Sequence, residues 1–111
     1  LIRRIRERRA FTRLQREGTR VRSEVLRCTM LVDRTLPCPH VAYSIGRAHG
    51  SAVARNRLRR RLQALLAERA GHLHPGWYLI GADPAAGALD AAGLASEVDR
   101  LVARLVDRGG A

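Results

Sequence analysis

Between Arg55 and Arg61 the chain carries five arginines in seven positions, interrupted by Asn56 and Leu58. The chemistry this density suits is the binding of a polyanion. A guanidinium stays charged, is planar, and offers forked donors that match phosphate oxygens two at a time. On a helix, Arg55 with Arg59 and Arg57 with Arg61 stand four apart, and each such like-charge pair costs roughly 0.2–0.5 kcal/mol. No acid relieves them before Glu68. Near a helix N-terminus the positive end of the dipole adds to this repulsion and to the pull on an anion. A solvated helix face usually mixes signs. The run therefore points to nucleic acid or another polyphosphate.

Other chemistries find little support. A metal nuclease needs clustered carboxylates, but in the arginine-rich half Glu7, Glu17, Glu24 and Asp33 stand singly, and no Ser, Cys or His arrangement marks a nucleophile. No catalytic residue is assigned. Cys28 and Cys38 are ten apart, and His40, His49, His72 and His74 form no second pair at a zinc interval. No metal site or cofactor bound by the protein alone is expected, and Cys28, inside an apolar alternation, reads as a small buried side chain.

The charge is unevenly placed. Of the 111 residues, which sum to a net charge of +11, positions 1–61 hold 17 arginines and 4 acids, while positions 62–111 hold 4 and 6. Every basic residue is arginine, through GC-rich codon usage or a demand for bidentate phosphate contacts; abundant Ala, Gly, Leu and Val favour the first. The excess is expected to concentrate on the helix that contains Arg55–Arg61. The length fits one domain over 1–111, and 46% hydrophobic residues can build a core. No apolar run approaches the ~20 residues of a membrane span. The start lacks a signal peptide's apolar stretch, so a soluble cytoplasmic protein without disulfides is expected. The chain opens on Leu1 rather than Met, and a few residues before it are expected.

The elements that must position these arginines follow from periodicity. Glu7–Glu17 reads as a helix with Ala10, Phe11 and Leu14 on one face, closed by Gly18 in a left-handed conformation. Leu26, Cys28, Met30 and Val32 alternate as a strand, and Val41–Ile45 is a second, expected antiparallel to the first. Ala52 to about Arg69 is a helix whose Leu58, Leu62, Leu65 and Leu66 form a buried stripe. Trp77–Ala82 is a buried strand. Asp90–Arg108 is a last helix, with Leu94, Val98, Leu101, Val102 and Leu105 inward, Glu97 and Arg100 paired at i, i+3, and Gly109 ending it. The order α-β-β-(β)-α-β-α predicts an α/β (α+β) two-layer sandwich, a small, mainly antiparallel sheet with helices packed on it.

Ala52-Val53-Ala54-Arg55-Asn56-Arg57-Leu58-Arg59-Arg60 resembles the A-V-x-R-N-R-x-K/R-R signature of the protein subunit of bacterial ribonuclease P. The likeness extends upstream through Ser44-Ile45-Gly46-Arg47-Ala48-His49-Gly50, where the family has S-V-S-K-K-x-G, and to Phe11 and Gly18 of its F-x-x-V-x-x-x-G opening. Downstream, Tyr78–Ala82 is similar to its Y-[VI]-[VI]-I-A strand. The resemblance implies a fold like the second domain of ribosomal protein S5, with a left-handed βαβ crossover. It also implies a basic partner of a catalytic RNA: that RNA, with Mg2+ in the holoenzyme, removes the 5′ leader from precursor tRNA, while the protein, a monomer within the ribonucleoprotein, binds the RNA subunit and the leader.

Carried over by position, Arg55, Asn56, Arg57, Arg59, Arg60 and the adjoining Arg61 would face the RNA subunit, with Asn56 either bonding RNA or fixing the first helical turn. Phe11, Arg27, Thr29, Ser44, Arg47 and Ala52 would line a leader cleft between the first helix and the open face of the sheet. Phe11 either stacks on an unstacked nucleotide or packs with Leu14. The chain departs from the family at Gln15 and Thr29, which replace aromatics, and at Ala48 and Asp83, which replace basic residues. The cleft should therefore stack less and depend more on Arg27 and Arg47. Two other readings are a ribosomal or other RNA-binding module of the same fold, and a DNA-binding protein with the basic helix in a major groove. The strand pair and the lack of helix-turn-helix spacing oppose the latter.

Overall fold

The computed structural model describes residues 1–110. Its elements run β1 (Arg3–Arg4), α1 (Arg8–Glu17), β2 (Thr19–Arg22), β3 (Leu26–Val32), β4 (Pro39–Ser44), α2 (Ala52–Glu68), β5 (Gly76–Ala82) and α3 (Ala91–Gly109), with 3-10 turns at Arg47–His49, Ala70–His72 and Pro84–Ala88. The strands form one mixed sheet in the order β1-β4-β5-β3-β2. β2, β3 and β5 pair antiparallel, whereas β5, β4 and β1 pair parallel.

The expected antiparallel neighbours β3 and β4 do not touch in the sheet, because β5 lies between them. The reason is its composition. No residue of β5 is exposed, and a strand apolar on both faces belongs at the centre of a sheet. β3 and β4 each keep an exposed polar position, Arg27 and Ser44, and flank it. Parallel pairing of β4 with β5 requires a long crossover, which α2 supplies. The two-residue β1 has no apolar periodicity and escaped the sequence reading.

The sheet packs on α2 and α3 through the larger apolar cluster, where Leu26, Cys28, Met30, Tyr78 and Ile80 meet Leu58, Leu62, Leu66, Leu94, Leu101 and Leu105. On the opposite face α1 covers one end, with Ile5, Ala10 and Leu14 against Trp77, Leu31 and Leu79. The other end of that face is left open. Gly18 closes α1 in an extended conformation (φ −69°) rather than the expected left-handed one. Glycine is needed there for space, since a Cβ would stand 2.3 Å from the Leu14 carbonyl oxygen and 2.5 Å from Thr29 Cγ2.

Glu97 pairs with Arg100 at i, i+3 as expected, but from a buried position. Its carboxylate is buried (4% exposed) and accepts hydrogen bonds from the Val25 amide at 2.7 Å and the Ser23 hydroxyl at 2.8 Å, with Arg100 3.8 Å away. It ties the β2–β3 turn to α3.

Candidate nucleic-acid interface

α2 begins where Gly50, at φ +98°, turns the chain and Ser51 caps the helix, its hydroxyl accepting from the Ala54 amide at 3.2 Å. Across the turn, His49 Nε2 donates to the Ala82 carbonyl at 2.8 Å and fixes the Arg47–His49 segment to the end of β5. Burial of Leu58, Leu62 and Leu66 then sets the rotation of the helix. Asn56, Arg57 and Arg60 are exposed, while Arg55, Arg59 and Arg61 are half-buried.

The six residues fall into different states. Arg55 Nε reaches the Ser51 carbonyl at 3.4 Å, and Arg59 Nη1 donates to Asn56 Oδ1 at 2.6 Å, so Asn56 orients an arginine inside the first turns. Arg61 Nη2 donates to the Leu89 carbonyl at 2.7 Å, a tie to the segment before α3. Among the described residues, Arg57 and Arg60 have no hydrogen-bond or ion-pair partner. The excess charge is not confined to this helix. Arg3, Arg4, Arg6, Arg8, Arg9, Arg13 and Arg16 are all exposed on β1, α1 and the link between them.

On the open end of the sheet, register places Arg20, Thr29, Leu79 and Ala42 in one row and Arg22, Arg27, Gly81 and Ser44 in the next. These rows floor a cleft of about 490 Å³, lined by Arg20, Arg22, Arg27, Thr29, Ser44 and Leu79 among others. Arg22 and Arg27 are directly opposed like charges, an arrangement that is destabilising unless relieved. Asp83 relieves it, Oδ2 taking Arg22 Nη2 at 2.9 Å and Oδ1 taking Arg27 Nη1 at 3.0 Å.

A second recess, about 740 Å³, lies beside the β1–β4 edge and is lined by Arg3, Arg4, Phe11, Tyr43, Arg59 and Gln63 among others. Burial pushes the Tyr43 phenol up to about 12, so this side chain stays uncharged. Phe11 lines this recess and is 36% exposed, unlike Leu14 beneath it at 1%. The residues expected to form one leader cleft are thus divided. Arg27, Thr29 and Ser44 share the first cleft, Phe11 lines the second recess, and Arg47 and Ala52 are exposed at the start of α2 and line neither. The two concavities adjoin along the row from Ala42 to Thr29. Arg20 and Arg22 were missed, although their alternation with buried Val21 places them on the face of Arg27. Arg3, Arg4 and Gln63 carried no local signal.

Among the described residues no three His, Cys, Asp or Glu converge, and His40 and His74, like His49, bond main-chain carbonyls. No helix of the described residues is long and apolar enough to cross a membrane.

Comparison with known proteins agrees with this architecture. A ribonuclease P protein component of Thermobifida fusca is 36% identical over 104 residues, covering 86% of this chain and 71% of that protein. One from Acidothermus cellulolyticus is 37% identical over 97 residues, covering 86% and 81%. The fold matches the Staphylococcus aureus RNase P protein with a TM-score of 0.82 at 16% identity, over 93% of this chain and 96% of that one. The Thermotoga maritima RNase P protein gives 0.80 at 19% identity, over 91% and 96%. The ribonuclease P family model matches residues 2–106, and with the curated relatives it establishes that this chain belongs to the ribonuclease P protein family.

Proposed function

We propose that this chain is the protein partner of a ribonuclease P RNA, binding the RNA subunit through the outer face of α2 and the single-stranded 5′ leader of precursor tRNA on the open end of the sheet. The observation that carries the reading is the pair Arg57 and Arg60, aimed outward by a buried leucine stripe and without a partner among the described residues. Two unneutralised guanidinium groups one turn apart suit successive phosphates of a folded RNA. Arg55, Asn56, Arg59 and Arg61 support them from within the protein, and Arg47 and Ala52 stand beside the helix start where a strand leaving the sheet would pass.

The protein contributes binding and orientation. In this reading the Mg2+ of the reaction, and cleavage with it, belong to the RNA. The chain acts as one copy in the ribonucleoprotein, in the tRNA-processing step that frees the mature 5′ end. Reconstitution tests this. The protein is expected to be inactive alone and, at low Mg2+, to stimulate cleavage of precursor tRNA by its cognate RNA. Cleavage by the protein without RNA, or no effect on the RNA's rate or affinity for substrate, would overturn the proposal.

A further inference from the structure

Arg27 and Gly81 are cross-strand neighbours on β3 and β5. A Cβ built on Gly81 would stand 3.0 Å from Arg27 Nε, 3.2 Å from Cζ and 3.2 Å from Nη2. Near-equal distances to three atoms of one plane put that point over the plane rather than at its edge. The guanidinium therefore lies face-on across the glycine backbone, where any larger residue would lift it. Asp83 Oδ1 holds Nη1 at 3.0 Å, and the Asp83 amide donates to the Val25 carbonyl at 2.8 Å, which fixes the carboxylate's origin at the cleft rim. The other carboxylate oxygen takes Arg22, which also donates to the Ser23 and Glu24 carbonyls at 3.2 Å each. Held at one face by Gly81 and at one edge by Asp83, the Arg27 side chain is still 52% exposed. Its second face opens to the cleft.

We propose that Arg27 is a stacking platform for one unstacked base of a single-stranded RNA lying in this cleft, with Asp83 as the positioning residue that keeps the guanidinium plane flat. Arginine planes stack on nucleobases as aromatic rings do, and no aromatic side chain lines the cleft. Asp83 has a second effect. It neutralises part of the charge of Arg22 and Arg27, and among the described residues only Arg20 of the cleft arginines has no partner. Binding here should respond to the presence of a base more than to phosphate charge. The proposal rests on the reading of the cleft as the leader site and adds how that site holds a base.

The test uses the full chain and two short single-stranded RNAs of equal length, one with all its bases and one with an abasic position at its centre, titrated at several salt concentrations. Wild type is expected to prefer the base-bearing RNA roughly tenfold, the order that one base stack contributes. Arg27→Lys keeps the charge and loses the plane, so the preference should fall toward unity with an unchanged salt slope. Asp83→Asn should tighten binding of the abasic RNA, steepen its salt dependence and reduce the preference. Both substitutions lie at an exposed rim, and thermal melts of each variant confirm the fold. A preference that survives Arg27→Lys, or equal binding of the two RNAs by wild type, overturns the platform alone. Binding of neither RNA, or binding indifferent to the combined Arg20→Ala and Arg27→Ala substitution, overturns the leader-site reading and the platform with it.

Discussion

Helices α2 and α3 are nearly equal in length, 17 and 19 residues, and each buries an apolar stripe against the same sheet face, leucines alone on α2 and leucines with Val98 and Val102 on α3. Their outer surfaces differ in kind. α3 mixes signs: Arg100 stands by Glu97 at 3.8 Å, Asp99 takes Arg69 at 2.5 Å, and Arg104 donates to the Arg22 carbonyl. α2 has no acid before Glu68, and among the described residues Arg57 and Arg60 have no hydrogen-bond or ion-pair partner. Packing alone cannot tell these helices apart. What separates them is whether each charge is compensated within the fold, and the uncompensated helix is the one left with charge for an external anion.

That contrast can be broken at several levels. The shared packing predicts that Leu62→Ala on α2 and Leu101→Ala on α3 each cost about 2–5 kcal/mol, because both leucines are almost wholly buried. Urea unfolding measures this, and a loss under about 1 kcal/mol at either site would show that its helix is not anchored as described.

Next in size is Glu97→Ala, which leaves the Val25 amide and Ser23 hydroxyl without their acceptor and should cost about 1.5–3 kcal/mol. Glu97 also sets a pH dependence. Burial pushes its carboxyl up, but the Val25 amide and Ser23 hydroxyl, with Arg100 and Arg104 behind them, outweigh burial and hold it below the usual carboxylate range. A folded value below the unfolded one means the unfolded chain takes the proton more readily. The stabilisation is therefore complete above the unfolded carboxylate range and is lost as pH falls through the folded value. Urea midpoints followed into acid should fall less steeply for Glu97→Gln than for wild type; parallel curves would remove Glu97 from the account.

On the other side of the contrast, Arg57→Ala combined with Arg60→Ala should leave stability within about 0.5 kcal/mol. Their effect belongs to RNA binding, where the slope of log affinity against log salt should drop by roughly 0.7–0.9 for each phosphate contact removed. Titrations of the RNA subunit at several salt concentrations decide it, and an unchanged slope would place the RNA elsewhere. The smallest effect is expected from Arg100→Ala, about 0.2–1 kcal/mol of stability with no change in that slope. A change matching that of Arg57 would erase the distinction between the helices.

Much of this was legible in the residues. The period-two alternation from Leu26 to Val32, the leucine stripe of α2 and the apolar positions of α3 each mark an element and its buried face, because burial on a regular backbone is a local, repeating constraint. The arginine run pointed to a polyanion because crowded like charge is also a local feature, and the resemblance of the motif around it implied RNA. The misplaced features depend on distant partners. The neighbour of β3 is β5, and the leader-cleft set separates because Phe11 sits on a different flank of the open face from Arg27. The pairing of Glu97 with Arg100 was legible at i, i+3, but its burial and its bonds to Val25 and Ser23, over seventy positions away, were not.

The sequence by itself determined the three helices and the strands β3, β4 and β5, that the first 61 residues carry the positive excess, and that a polyanion is the natural partner. Only the tertiary structure decided which arginines are free. Arg61 is tied to a carbonyl 28 residues away, and Arg27 to a carboxylate 56 residues away. Periodicity reports a side chain's direction relative to its own backbone. Compensation of a charge depends on what another part of the chain brings within about 3 Å, and no spacing rule along the sequence contains that distance.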